Sequence, residues 1–204
     1  MNPSQALIER SIPFLEEVKN RTAGGELEDW LNNTHGPGTA LYDDLARMIT
    51  NGVEEGWAAN VEVDGPRYRR SRIAEPSDVL NYFSVTAVYM KSEPRYRGQY
   101  HQHPYGELNL VVPLDPGAEL AGPRGWQGAG WTAPGPGSHH YPEVRGGALI
   151  ALFYLPAGRI SYDITPARIS VPAATRTWKA PGRIPSRSNH VAFPDSRPPR
   201  KILW

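Results

Sequence analysis

Apolar residues recur along this chain at two different periods. Over residues 3–20, Leu7, Ile8, Leu15 and Val18 fall on one helical face, with Ser4 as candidate N-cap. Gly24-Gly25 ends that segment, and residues 26–33 read as a short second helix carrying Trp30 and Leu31. His35-Gly-Pro-Gly38 reads as a turn. Thr39 then begins a third helix, in which Leu41, Leu45, Met48 and Ile49 form one stripe ended by Asn51-Gly52. Residues 1–56 are therefore predicted to form a small helical cap.

Beyond residue 56 the period shortens to two. Residues 57–63 and 68–73 alternate across the Asp64-Gly65-Pro66 turn, and residues 81–91, with Tyr82, Phe83, Val85, Ala87 and Tyr89, read as a strong strand. Residues 99–103, 107–112, 126–131, 148–155 and 160–163 follow as strands between Gly/Pro turns. About eight short strands at this spacing predict a sandwich or barrel, here over residues 57–164. Residues 165–204 are rich in Pro and Arg with little periodicity; Trp178 and the closing Ile202-Leu203-Trp204 predict a tail packed on the barrel.

Composition supports a turn-rich β protein. The chain has 21 Pro and 20 Gly in 204 residues, above ordinary usage of ~5% and ~7%. A formal net charge of +1 makes no electrostatic case for nucleic acid or an anionic membrane surface. No apolar run approaches the ~20 residues that span a bilayer, and Glu9 and Arg10 interrupt any signal-peptide pattern, so a cytoplasmic location is expected. Cys is absent, which excludes disulfides, thiolate metal sites and cysteine nucleophiles.

Any metal must then be held by imidazole and oxygen, and the chain concentrates both. In the run Gly98-Gln-Tyr-His-Gln-His-Pro-Tyr-Gly-Glu107, His101 and His103 lie two apart and face the same side of a strand. Glu107 returns to that side past the Pro104–Gly106 break, and a second pair, His139 and His140, follows. His101, His103, Glu107 and one later His form a candidate site for a divalent ion, Fe, Mn, Ni or Zn, with positions open to water or substrate. Such an ion would polarise a bound oxygen or lower the pKa of water. Tyr105, inside the run, is a candidate proton donor, and His103 and Glu107 are candidate catalytic groups. Asn109 shares the face of Glu107 and is a candidate for substrate binding. So are Arg70 and Arg72, on one face of the Arg67–Arg72 cluster, where guanidinium forks suit a carboxylate. Tyr89 adds a ring able to line an aromatic pocket. His35 and His190 stand alone and read as surface groups.

The block from Gly98 to Glu107 resembles the first cupin motif, and Gly130-Trp-Thr-Ala-Pro-Gly-Pro-Gly-Ser-His-His140 resembles the second. The Pro/Gly spacing is compressed, so either His139 or His140 can take the ligand position; laying Gly137-Ser-His-His on the motif favours His140. The resemblance implies a mainly β, cupin-type jelly-roll barrel behind the helical cap, and a homodimer. Within the cupins, the cap, the block ending in Glu107-Leu-Asn109 and Gly137-Ser-His-His-Tyr-Pro142 resemble the para-hydroxylaminobenzoate lyases over roughly residues 5–165. That resemblance implies a small aromatic carboxylate as substrate and its conversion to protocatechuate with loss of ammonia. Other cupin chemistries, a metal-dependent dioxygenase or isomerase, and a non-catalytic binder of small carboxylates fit the same motifs.

Overall fold

The structure, a computed structural model, describes residues 2–93 and 95–166. The expectation for the C-terminal segment, and that for His190, therefore lie outside the described residues. Three helices come first: α1 (Pro3–Val18), α2 (Gly25–His35) and α3 (Ala40–Glu54). Asn2, not Ser4, caps α1: its Oδ1 accepts the Ser4 N–H at 3.1 Å. Thr39 caps α3, and that helix runs past Asn51-Gly52 to Glu54. Gly52 is there for close packing and not for termination. A Cβ added to it would meet the Trp57 ring at 2.5 Å.

Twelve strands follow: β1 (Val61–Glu62), β2 (Tyr68–Ala74), β3 (Phe83–Lys91), β4 (Arg95–Arg97), β5 (His101–His103), β6 (Leu108–Pro113), β7 (Glu119–Gly122), β8 (Gly125–Gln127), β9 (Gly130–Thr132), β10 (Ser138–His140), β11 (Glu143–Arg145) and β12 (Ala148–Pro156). A six-stranded sheet runs β1-β2-β3-β12-β6-β9, a four-stranded sheet runs β4-β11-β7-β8, and β10 pairs with β5. The chain passes from the large sheet at β3 to the small one at β4, back at β6, away at β7, back at β9, to the small sheet again at β11 and back at β12. This alternation makes the jelly-roll barrel. The expected strand over residues 57–63 shrinks to Val61–Glu62, and residues 126–131 divide into β8 and β9. Residues 160–163 keep only a bridge from Ser161 to Gln102. Among the described residues, no helix is long and apolar enough to cross a membrane.

The period-two pattern divides the core into two layers. Ile150, Leu152 and Tyr154 of β12 join Val85, Ala87, Leu108 and Leu110 against Phe14, Leu15, Leu31, Leu45 and Ile49 of the helices. The intervening Leu149 and Ala151 join Val88, Met90, Val111, Leu120 and Val144 between the two sheets. Both faces of β12 are covered, which explains its unbroken apolar sequence Ala-Leu-Ile-Ala-Leu-Phe-Tyr-Leu.

Helix α2 also closes a sheet edge. Beside β9, Asn32 accepts the Trp131 backbone N–H and donates to the Trp131 carbonyl, both at 2.9 Å, as a neighbouring strand would. Glu28 Oε2 accepts the Ala133 N–H at 2.8 Å, and Trp131 Nε1 donates to the His35 carbonyl at 2.7 Å. His35 is thus a packing joint, its ring edge-on to Phe14 and Trp30. Replacing Asn32 with Ala leaves two backbone groups of β9 unpaired. We expect a loss of about 1–3 kcal/mol in urea-induced unfolding; a midpoint unchanged from wild type would refute this edge closure.

Candidate active site

Register brings the histidines together. Strands β5 and β10 pair antiparallel with His140 opposite His101 and Ser138 opposite His103. Side chains two apart on β5 share a face, so His101, His103 and His140 meet on the inner side. His101 Nε2 lies 3.1 Å from His103 Nε2, which lies 3.2 Å from His140 Nε2. One ligand atom from each of the three falls within 4.8 Å of the others. The rings stand nearly perpendicular to one another, at 86–89°.

Burial sets the charge of these groups. Desolvation holds the His101 imidazole below its ordinary value, against the pull of the Glu107 charge. It pushes His103 down to about 4 and His140 down to about 3, the latter helped by the neighbouring imidazoles. All three are neutral at pH 7 and carry a lone pair. His101 turns Nδ1 to the Gln99 carbonyl at 2.9 Å, which places its proton there and leaves Nε2 bare. Three bare nitrogens at these separations fit a metal ion: metal–nitrogen bonds of ~2.0–2.1 Å put ligands ~3–3.4 Å apart. The donor set therefore suits a divalent cation.

Glu107 is placed differently from the three imidazoles. It is 2% exposed, and its Oε2 lies 3.3 Å from His103 Nδ1, the nitrogen turned away from the cluster. The contact is too poorly aligned for a hydrogen bond, so both atoms are without a hydrogen-bond partner among the described residues. Burial pushes this carboxyl up to about 7. Of the two candidates in the second motif, His140 joins the cluster. His139 is exposed and its Nδ1 meets the Tyr100 hydroxyl.

The cluster opens onto a cavity of about 340 Å³ between the sheets. His101, His140, Glu107, Asn109, Arg70 and Arg72 line it, with Val88, Met90 and Phe153 as apolar wall. Asn109 Nδ2 donates to Thr132 Oγ1 at 3.0 Å, while Asn109 Oδ1 has no partner among the described residues. Arg70 Nη1 donates to the Tyr162 hydroxyl at 3.0 Å, and Arg72 is paired with Glu75 at 2.6 Å.

Two expected residues lie elsewhere. Tyr105 is 56% exposed and lines a separate surface groove with Lys19, Arg21 and Tyr82. Gly106, at φ 85°, breaks the strand beyond His103, so the alternation that would carry Tyr105 along does not apply. Tyr89 lies on the helix side of β3 with Val85 and Ala87, under the Arg69 guanidinium at 4.4 Å. Its phase along the strand is opposite to that of Val88 and Met90. The pattern search passed over Tyr68 and Tyr162, both in the cavity wall. Tyr68 shares the face of Arg70, and Tyr162 falls in the strand expected over residues 160–163, so both were within reach of the period-two rule.

A family model described as 4-hydroxylaminobenzoate lyase matches residues 9–162. A 4-hydroxylaminobenzoate lyase from Nocardioides sp. (strain LMS-CY) is 73% identical over 166 residues, 81% of this chain and 98% of the relative. One from Pseudomonas putida is 58% identical over 171 residues, 80% of this chain and 97% of the relative. A solved structure of DMSP lyases aligns with 79% of this chain and 98% of its own, at 17% identity and TM-score 0.38. By the extent of the family match and the identity of these relatives, the chain belongs to the 4-hydroxylaminobenzoate lyase family.

Proposed function

We propose that the protein converts 4-hydroxylaminobenzoate to protocatechuate with release of ammonia. The reaction takes up one water and expels one ammonia, so it balances without an external oxidant or reductant. The observation that carries the reading is three neutral imidazoles converging beside a buried carboxyl at the wall of a cavity with an apolar flank. It is joined by membership of a family whose relatives carry that name.

His101, His103 and His140 would hold a divalent ion of the Fe, Mn, Ni or Zn type, which when bound would supply Lewis acidity toward an oxygen of the substrate. The chain's own groups do the rest. Val88, Met90 and Phe153 hold the ring and keep water from it except where it is needed. Arg70 and Arg72 put positive charge on the same wall for the ring carboxylate. Asn109 Oδ1 accepts a hydrogen from the hydroxylamino group. Glu107, pushed up to about 7, is near even protonation at neutral pH and can pass a proton to the hydroxyl oxygen that departs as water and recover one from the water that adds to the ring; a second water, adding at the carbon that bears the nitrogen, displaces it as ammonia.

Purified protein given 4-hydroxylaminobenzoate should release one ammonia per substrate with no oxygen uptake. Oxygen consumption, or no ammonia, would overturn the lyase reading. Replacing His103 with Ala should lower ammonia release by about a hundredfold or more, with loss of bound metal by elemental analysis. Undiminished release in folded variant would remove the imidazole cluster from the chemistry. Glu107→Gln should lower kcat by about 10²–10⁴-fold while the metal content stays at the wild-type level; a variant that loses its metal in step with activity would show Glu107 to be a ligand and not a proton carrier.

A further inference from the structure

Tyr162 stands outside both motifs that mark the site, yet the fold builds it into the cavity. After β12 the chain turns through Ala157 and Gly158, at φ 53° and 61°. Ser161 then pairs with Gln102 of β5, donating to its carbonyl at 2.9 Å and accepting its N–H at 2.8 Å. That pairing fixes the alternation of side chains, so Ile160 and Tyr162, on either side of Ser161, both line the cavity. The Tyr162 ring stands edge-on to His101 with centroids 5.7 Å apart. Its hydroxyl oxygen accepts from Arg70 Nη1 at 3.0 Å.

This contact has a chemical consequence. A guanidinium can only donate, so it occupies a lone pair of the phenol oxygen and leaves the phenol hydrogen for another acceptor. Arg70 has no carboxylate partner among the described residues, whereas Arg72 on the same strand face is paired with Glu75 at 2.6 Å. Two donors, an Arg70 N–H and the Tyr162 O–H, thus sit side by side on the cavity wall. A carboxylate, with two oxygens to satisfy, is the group that matches such a pair. The neighbouring apolar wall accepts the ring to which that carboxylate is attached.

We propose that Tyr162 is a specificity-determining residue, forming with Arg70 a two-donor clamp for the carboxylate of the substrate. The proposal rests on the lyase reading for the identity of the rest of the ligand, and is tested apart from it. In Tyr162→Phe, KM for 4-hydroxylaminobenzoate should rise about tenfold to a hundredfold, the weight of one hydrogen bond to a charged group. The loss should appear in KM rather than kcat, and the preference for the carboxylate substrate over uncharged hydroxylaminobenzene should fall by the same factor. A loss confined to kcat, or an equal loss for the uncharged ring, would overturn the clamp. Calorimetric titration with 4-hydroxybenzoate, which has no hydroxylamine to react, separates binding from turnover. Binding weakened by the substitution, in a protein whose wild type releases no ammonia, would sustain the clamp and sink the lyase reading. Unweakened binding would sink the clamp whatever the reaction. Arg70→Lys, which keeps the charge and loses the fork, should weaken the same binding and serves if the Phe variant fails to fold.

Discussion

The meeting of three imidazoles, two of them buried and the third partly so, is the constraint on which the site depends. Protonating any of them would place a charge beside two like neighbours in a medium that solvates charge poorly, so they stay neutral. Neutral imidazoles whose Nε2 atoms face one another at 3.1–3.2 Å offer lone pairs that a divalent cation would satisfy. The pairing of β5 with β10 decides the geometry. His101 faces His140 across the ladder, and His103 follows two residues along, so a triangle of nitrogens is a product of register. A shift of one residue would turn His140, or His101 and His103 together, to the outer face.

That register is held by the wider fold. The large sheet is covered by helices on one side and by the barrel interior on the other, and β12 is apolar on both faces as a result. Phe14, Trp131 and Tyr154 stack where the helices meet the sheet, and the Tyr154 hydroxyl is satisfied by Ser11 at 3.0 Å. The helices therefore do more than fill space. They close the outer face of β3, β12 and β6, so that the inner face can be given over to polar chemistry. Burial of Glu107 and the histidines is a consequence of this layering.

The parts of this arrangement visible in the sequence are those governed by period two within one strand. His101 and His103 could be placed on one side, and Glu107 and Asn109 on a shared face that returns to it, because each pair lies two residues apart. His140 could be preferred to His139 from its place after Gly137, and the structure puts that residue inward. Phase relative to the core was harder to read. Tyr89 looks like its neighbours in composition, but the odd residues of β3 face the helices and the even ones the cavity. Tyr105 lies outside the cavity because the left-handed Gly106 ends the strand, and the direction of a side chain within a turn is not set by apolar spacing. Strands β4, β7, β10 and β11 have three or four residues each, too few for a period to declare itself. Tyr162 lay within an expected strand but had no partner in sequence, since Arg70 reaches it only through the closure of the barrel.

The unpaired polar atoms of the cavity carry the argument one step further. Asn109 Oδ1 and Thr86 Oγ1 are buried without hydrogen-bond partners among the described residues, and both residues line the same space as Arg70 and Tyr162. Each such atom destabilises the fold by about 1–3 kcal/mol if nothing satisfies it. A protein under selection for stability alone would replace them with apolar side chains of the same shape. Their persistence is explained if a ligand completes them, and the complement is specific. An acceptor at Asn109 asks for a donor on the ligand, while the Arg70 and Tyr162 donors ask for an anion. A ring carrying an anionic group and an N–H or O–H group meets both demands, and the apolar wall of Val88, Met90 and Phe153 meets its faces. The cavity thus brings donors, an acceptor and apolar surface together, which suits an aromatic acid that carries a hydrogen-bonding group.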